Sequence, residues 1–216
     1  MDVETQPRIP ESFFEHRHLF SEPWVDRWIL PNPFISPLLK ELRAGGVELS
    51  DFTFNKEVAT AGDAHLNVTI RRLNAAVRIG LDTVTFIAVN PDWRVVPDLT
   101  LVFDRVSEIV CTVIGAKPVS QQAVLAFHVT EGAIDFHEKT ASLINRNLVG
   151  EADFWGVSRR RDKQAFIIDK SLKYERAAFV RLERTFPGSA RFPEVASSLY
   201  EDEIVALSLL GIVGIP

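Results

Sequence analysis

The sequence predicts an α+β fold: a curved, mostly antiparallel or mixed sheet covered by helices, with an aromatic-rich N-terminal arm. Three observations carry this. Apolar residues alternate with period two through the middle of the chain and again near its end. A period of 3.6 replaces it over residues 97–114 and 192–209. The resulting order, strands then a long helix, twice over, segregates the two kinds of element, whereas a doubly wound parallel sheet would interleave them.

Residues 1–37 form the arm. Pro7, Pro10, Pro23, Pro31, Pro33 and Pro37 interrupt any long element there, so only short helices at 11–19 and 22–29 are expected. Ser36-Pro37 then reads as the cap and first turn of a helix over 37–44, stopped by Gly45-Gly46. The remainder, 38–216, reads as a single α+β domain. Its stretches 50–115 and 151–210 share a coarse strands-then-helix order without a matching residue pattern.

Within that domain, VELSDFTFNKEV and HLNVTIRRL suggest strands. The second puts Leu66, Val68 and Ile70 on one face and Asn67, Thr69 and Arg71 on the other. In AAVRIGLDTVTFIAV the alternation changes phase after Gly80, which marks a bulge or bend. Over 97–114, Leu99, Val102, Phe103, Val106, Ile109, Val110 and Val113 make a broad apolar stripe, and Gly115 ends the helix. QQAVLAFHVT alternates as a strand, and IDFHEKTASLINRNL has a helical period. ADFWGVSRRRDKQAFIID reads as two strands around a charged turn, and 176–186 as another. The final helix, 192–209, is expected to bury Val195, Leu199, Ile204 and Leu207 and to leave Glu201, Asp202 and Glu203 in the wet sector.

A chain of 216 residues with 46% hydrophobic and 25% charged content can bury a full core without disulfides or structural metal. Its net charge of −5 argues against general polyanion binding, so no nucleic acid is expected as partner. Cys111 is the single cysteine, so no intrachain disulfide forms and a reducing, cytoplasmic setting is the simpler expectation. The polar MDVETQPRIPE start lacks the charged and apolar regions of a secretory signal, and no run approaches the roughly 20 apolar residues of a membrane span. Neither a G-x-G-x-x-G nor a P-loop pattern occurs, so no nucleotide cofactor is expected.

Three groups of residues are candidates for function. His16 and His18 lie among Phe13, Phe14, Phe20, Trp24 and Trp28; two residues apart without further ligands they do not make a metal site, and no metal is expected. The aromatics instead suggest docking, within the chain or across a homo-oligomer interface. His128, Glu131 and Asp135 are the catalytic candidates, with the histidine as general base and an acid orienting it. Structural roles, Asp135 capping a helix and His128 packing on a sheet, explain the same residues. Arg159, Arg160, Arg161 and Lys163, with Trp155 nearby, would grip an acidic protein partner or a small anionic ligand; a solvated hairpin turn is the plain alternative.

The leading expectation is therefore a non-enzymatic adaptor or accessory protein, oligomeric, binding through the N-terminal aromatics or the basic turn. The alternative is a small-molecule enzyme with His128 as general base and Arg159 or Arg160 holding an anionic substrate.

Overall fold

The structure, a computed structural model, describes residues 8–24, 32–55, 64–91, 96–130, 156–174, 177–210 and 212. In chain order the elements are β1 (Arg8–Leu19), α1 (Asn32–Leu42), β2 (Phe52–Asn55), β3 (His65–Ile70), β4 (Ala75–Ile79), β5 (Thr83–Val89) and α2 (Val96–Ile114). β6 (Ser120–Thr130), β7 (Gly156–Arg161), β8 (Gln164–Lys170), β9 (Ala177–Pro187) and α3 (Phe192–Leu209) follow. The fold is α+β, with a mostly antiparallel sheet in the order β2-β3-β4-β5-β1-β6-β9-β8-β7. Among the described residues no helix is long and apolar enough to cross a membrane.

The chain divides into two compact units: Phe13–Ala123 with Thr185–Ser197, and Met1–Ser12 with Val124–Arg184 and Ser198–Pro216. In the first unit, the alternation of β3 buries Leu66, Val68 and Ile70 as expected. The phase change after Gly80 is a hairpin turn: β4 pairs antiparallel with β5, and the Gly80 amide donates to the Thr83 carbonyl at 2.8 Å. Both strands keep an apolar face, Val77 and Ile79 beside Val84 and Phe86, because the turn resets the register. α2 lays Leu99, Phe103, Val106 and Val110 on the same core, each such burial contributing about 1.5–3 kcal/mol.

Two expectations for the N-terminal part of the chain are corrected by these elements. Residues 11–19 are not a helix on a peripheral arm but the greater part of β1, which pairs with β5 from Phe13↔Val89 to Leu19↔Thr83. A partner strand some 70 residues away in sequence supplies ladder hydrogen bonds, each worth about 0.5–1.5 kcal/mol net, that local propensity does not register. The helix expected at 22–29 lies largely outside the described residues. Second, the helix expected at 37–44 spans Asn32–Leu42, with Pro37 inside it. Starting at Asn32-Pro33 places Phe34, Leu38 and Leu42 at i, i+4 and i+8, all buried, and this burial outweighs the hydrogen bond that Pro37 forfeits.

The turn after β9 sets a close approach of backbones. A Cβ on Gly188 would stand 1.9 Å from the Pro118 carbonyl oxygen and 2.6 Å from its carbon. Gln121 Nε2 pins the turn by donating to the carbonyls of Gly188 (2.8 Å) and Ala190 (2.9 Å). Gly188→Ala is therefore expected to cost about 2 kcal/mol, because backbone has to move. Urea unfolding measures it, and an unchanged midpoint would refute the close approach.

In the second unit, β7, β8 and β9 form an antiparallel meander whose β7–β8 turn is Asp162-Lys163, with Asp162 at φ +33°. Phe127, Ile168, Val180 and Leu182 are buried, as are Leu199, Ala206, Leu207 and Leu210 of α3 and the loop after it. The helix phase differs from the expected one. Asp202 and Glu203 fall in the buried stripe and Ile204 is 50% exposed. The phase follows Phe192, Val195, Leu199, Ala206 and Leu210, and a 3.6-residue repeat through those positions carries 202–203 inward and 204–205 outward.

Candidate functional site

The basic hairpin of the second unit and α3 enclose an open pocket of about 270 Å³, lined by Arg159, Arg161, Gln164, Phe166, Asp202, Val205 and Leu209. Its composition follows from pleat and register. Arg159 lies opposite Phe166 and Arg161 opposite Gln164, so these four side chains share one face of the hairpin. From the helix, Asp202, Val205 and Leu209 are spaced three and four apart, on one side.

The acid in this pocket is already committed. Asp202 Oδ1 accepts from Gln164 Nε2 at 2.7 Å and from Arg184 Nη2 at 3.1 Å. Burial pushes its carboxyl up from the ordinary value, with Arg184 and Gln164 opposing. Arg159 and Arg161, by contrast, are exposed and make no ion pair among the described residues. The pocket thus offers two guanidiniums with no ion pair among the described residues, beside an apolar floor of Phe166, Val205 and Leu209, the last two being exposed helix residues. Arg160 and Lys163 are exposed as well, Arg160 on the opposite face of β7 from Arg159 and Arg161. Trp155 lies outside the described residues.

His128 occupies a different cluster in the same unit and does not line that pocket. Its Nδ1 is hydrogen-bonded to Ser171 Oγ at 3.0 Å, and its ring packs on Tyr174 and Phe179, with centroids 5.2 Å from each. Ser171 Oγ also accepts the amides of Lys173 (3.2 Å) and Tyr174 (3.0 Å), a hydroxyl-closed turn. Glu11 bonds the Lys173 ammonium and accepts from the Tyr174 hydroxyl. Desolvation lowers the His128 pKa, with Glu11 opposing and Lys173 adding to the fall. This geometry has His128 fastening the loop after β8. Glu131 and Asp135, the acids expected to orient it, lie outside the described residues. Ser171 was not singled out from sequence, and a lone serine between DK and LK carries no signal that could have found it.

The N-terminal aromatics are largely spent within the first unit. Phe20 and Trp24 stack edge to face at 4.6 Å, held by Phe20 N donating to Asp82 O and Trp24 N to Leu81 O, and both are buried. Phe14 packs against the same core and Phe13 is half-buried. Trp28 lies outside the described residues. A homo-oligomer interface accordingly draws no support from Phe20 or Trp24.

His16 and His18 are buried among Phe86, Phe103 and Phe192, with His16–Phe192 centroids 4.4 Å apart and the two imidazoles 4.8 Å apart. His18 Nδ1 is hydrogen-bonded to Ser107 Oγ at 3.2 Å; among the described residues His18 Nε2 and both His16 nitrogens have no partner in hydrogen-bond geometry, Gln121 approaching His16 without meeting it. Burial and repulsion from His18 depress His16 to about 3, with Gln121 opposing. Burial depresses His18 to about 4 against the attraction of Asp104. Among the described residues no group of three or more His, Cys, Asp or Glu is placed to hold a metal. Burial raises the Cys111 pKa, which disfavours its thiolate.

The sequence matches no protein-family model and has no significant match among curated proteins.

Proposed function

We propose that this chain is a non-enzymatic adaptor or accessory protein that receives an acidic segment of a partner protein on the β7–β8 hairpin and the adjoining face of α3. The observation that carries this reading is the pair of guanidiniums, Arg159 and Arg161, that have no ion pair among the described residues and stand above an apolar floor. Two neighbouring like charges with no ion pair among the described residues favour a ligand that brings carboxylates, and guanidinium pairs with carboxylate in a bidentate geometry. The pocket's roughly 270 Å³ falls just below the range of sites that enclose a drug-sized molecule, and it is open. It suits one or two side chains of a larger partner, whose acidic residues would meet the arginines while an apolar side chain on the same face of the partner covers Phe166, Val205 and Leu209. His128 stands outside this pocket, so the alternative in which it acts as base on a substrate held by Arg159 draws less support.

Fluorescent peptides carrying acidic, neutral or basic residues around a single Leu test the reading. Acidic peptides are expected to bind saturably, to weaken with added salt, and to lose about tenfold or more in affinity against the Arg159→Glu/Arg161→Glu variant. Equal binding of acidic and basic peptides would reject it.

A further inference from the structure

β7 is the last strand in the sheet order, and among the described residues no strand pairs with its outer side. Gly156, Ser158, Arg159, Arg160 and Arg161 are all exposed along it. A six-residue edge strand leaves about half of its amides and carbonyls pointing outward, where water or another chain must satisfy them. The side chains determine which chain that would be. A second copy pairing through β7 would bring Arg159, Arg160 and Arg161 against their own equivalents, and like charges directly opposite one another destabilise a ladder. An acidic strand meets the opposite situation.

We infer that the acidic segment binds in extended form, as an additional strand hydrogen-bonded to the outer edge of β7. Acidic residues two positions apart in that segment face Arg159 and Arg161. The match is geometric. Arg159 and Arg161 are one pleat period apart, about 6.6 Å along the strand, which is the spacing of alternate side chains on an added strand. Main-chain hydrogen bonds supply affinity and the alternate side chains supply selectivity, as in other strand additions. The partner motif is therefore acid, any residue, acid within a β-prone run, and a helix with acids at i and i+4 fits poorly. This inference rests on the reading that the basic hairpin receives an acidic partner.

The probe is a short acetylated peptide of alternating Val and Asp, with two controls: the same peptide N-methylated at alternate backbone nitrogens, and a Val-Lys counterpart. The Val-Asp peptide is expected to bind the full chain saturably, to slow amide exchange in β7, and to lose about tenfold or more in affinity when N-methylated or when met by Arg159→Glu/Arg161→Glu. Binding indifferent to N-methylation, with β7 amides unprotected, overturns strand addition but leaves acidic-partner recognition standing. Equal binding by the Arg159→Glu/Arg161→Glu variant, or by the Val-Lys peptide, overturns both. Absence of saturable binding by the Val-Asp peptide overturns strand addition.

Discussion

Acidification from pH 7 to pH 4.5 is expected to remove about 5 kcal/mol of stability through His16 and His18 alone. Both imidazoles lie in an aromatic layer, and His16 is 0% exposed. Their folded pKa values, about 3 and about 4, lie below the 6.5 of an unfolded chain. Above pH 6.5 both states hold the rings neutral and these residues add no pH dependence. Below it the unfolded chain binds protons that the folded chain refuses, so stability falls by about 1.4 kcal/mol per pH unit per histidine until the folded values are reached. Asp104, whose carboxylate faces His18, is held by Arg191 Nη2 at 3.0 Å and by the Phe192 amide at 3.1 Å, which limits its ability to rescue the imidazolium. Glu203, whose carboxyl is raised by burial, gains roughly 2–3 kcal/mol over the same window, so the net loss is about 2 kcal/mol, still a sizeable part of a domain's whole stability of about 5–15 kcal/mol. Urea titrations at a series of pH values test this. His16→Leu should lower the slope between pH 4.5 and 6.5 by about 1.4 kcal/mol per pH unit and leave stability at pH 7.5 equal or higher, because it removes two polar atoms that lack a partner among the described residues. A variant whose pH profile parallels that of the parent would sink the assignment.

Glu203→Met is expected to raise stability by about 3 kcal/mol at pH 8 and to change it little at pH 4. Glu203 is 6% exposed on the inward side of α3, and its Oε2 has no hydrogen-bond partner. Burial raises its carboxyl to about 7 from an ordinary 4.5. Below pH 4.5 the group is neutral in both states and its effect on stability is pH-independent. As pH rises towards 7 the unfolded chain releases the proton while the folded chain retains it, and stability falls. Methionine keeps the length and removes the charge. The effect has the opposite sign to that of the histidines over pH 4.5–6.5, so the two variants are separable by sign: His16→Leu flattens the fall in stability towards acid, and Glu203→Met steepens it. An equal gain at pH 4 and pH 8 would show that Glu203 acts through packing and not through its proton.

These two predictions concern side chains whose placement was not legible in the sequence. The alternation in EHRHLF already implied that His16 and His18 share a face if the segment is extended, but the prolines around it favoured short helices. What makes it a strand is β5, from Thr83 to Val89, which is distant in sequence and invisible to any local window. Glu203 was misassigned by one helical step: Leu199 and Leu207 fit both the expected stripe and the observed one, and only the packing of Phe192, Ala206 and Leu210 decides between them.

Periodicity by itself determined the α+β class, the helices near 97–114 and 192–209, the strand ending at Thr130 and a hairpin around a charged turn, and the charge cluster made Arg159 and Arg161 candidates; the turn was expected over 159–163, whereas Arg159–Arg161 belong to β7 and only Asp162-Lys163 turn. Those features depend on contacts within one element, or across a two-residue turn, so every residue needed to specify them is nearby. The tertiary structure alone decided that Arg8–Leu19 is a sheet strand, that α1 begins at Asn32, and that Asp202 is already paired by Arg184 and Gln164. Among the described residues it leaves Arg159 and Arg161 of the same pocket without an ion pair. Each of these is a competition between a weak local preference and burial or pairing with a distant segment. Such competitions are settled by which surfaces meet when the chain collapses.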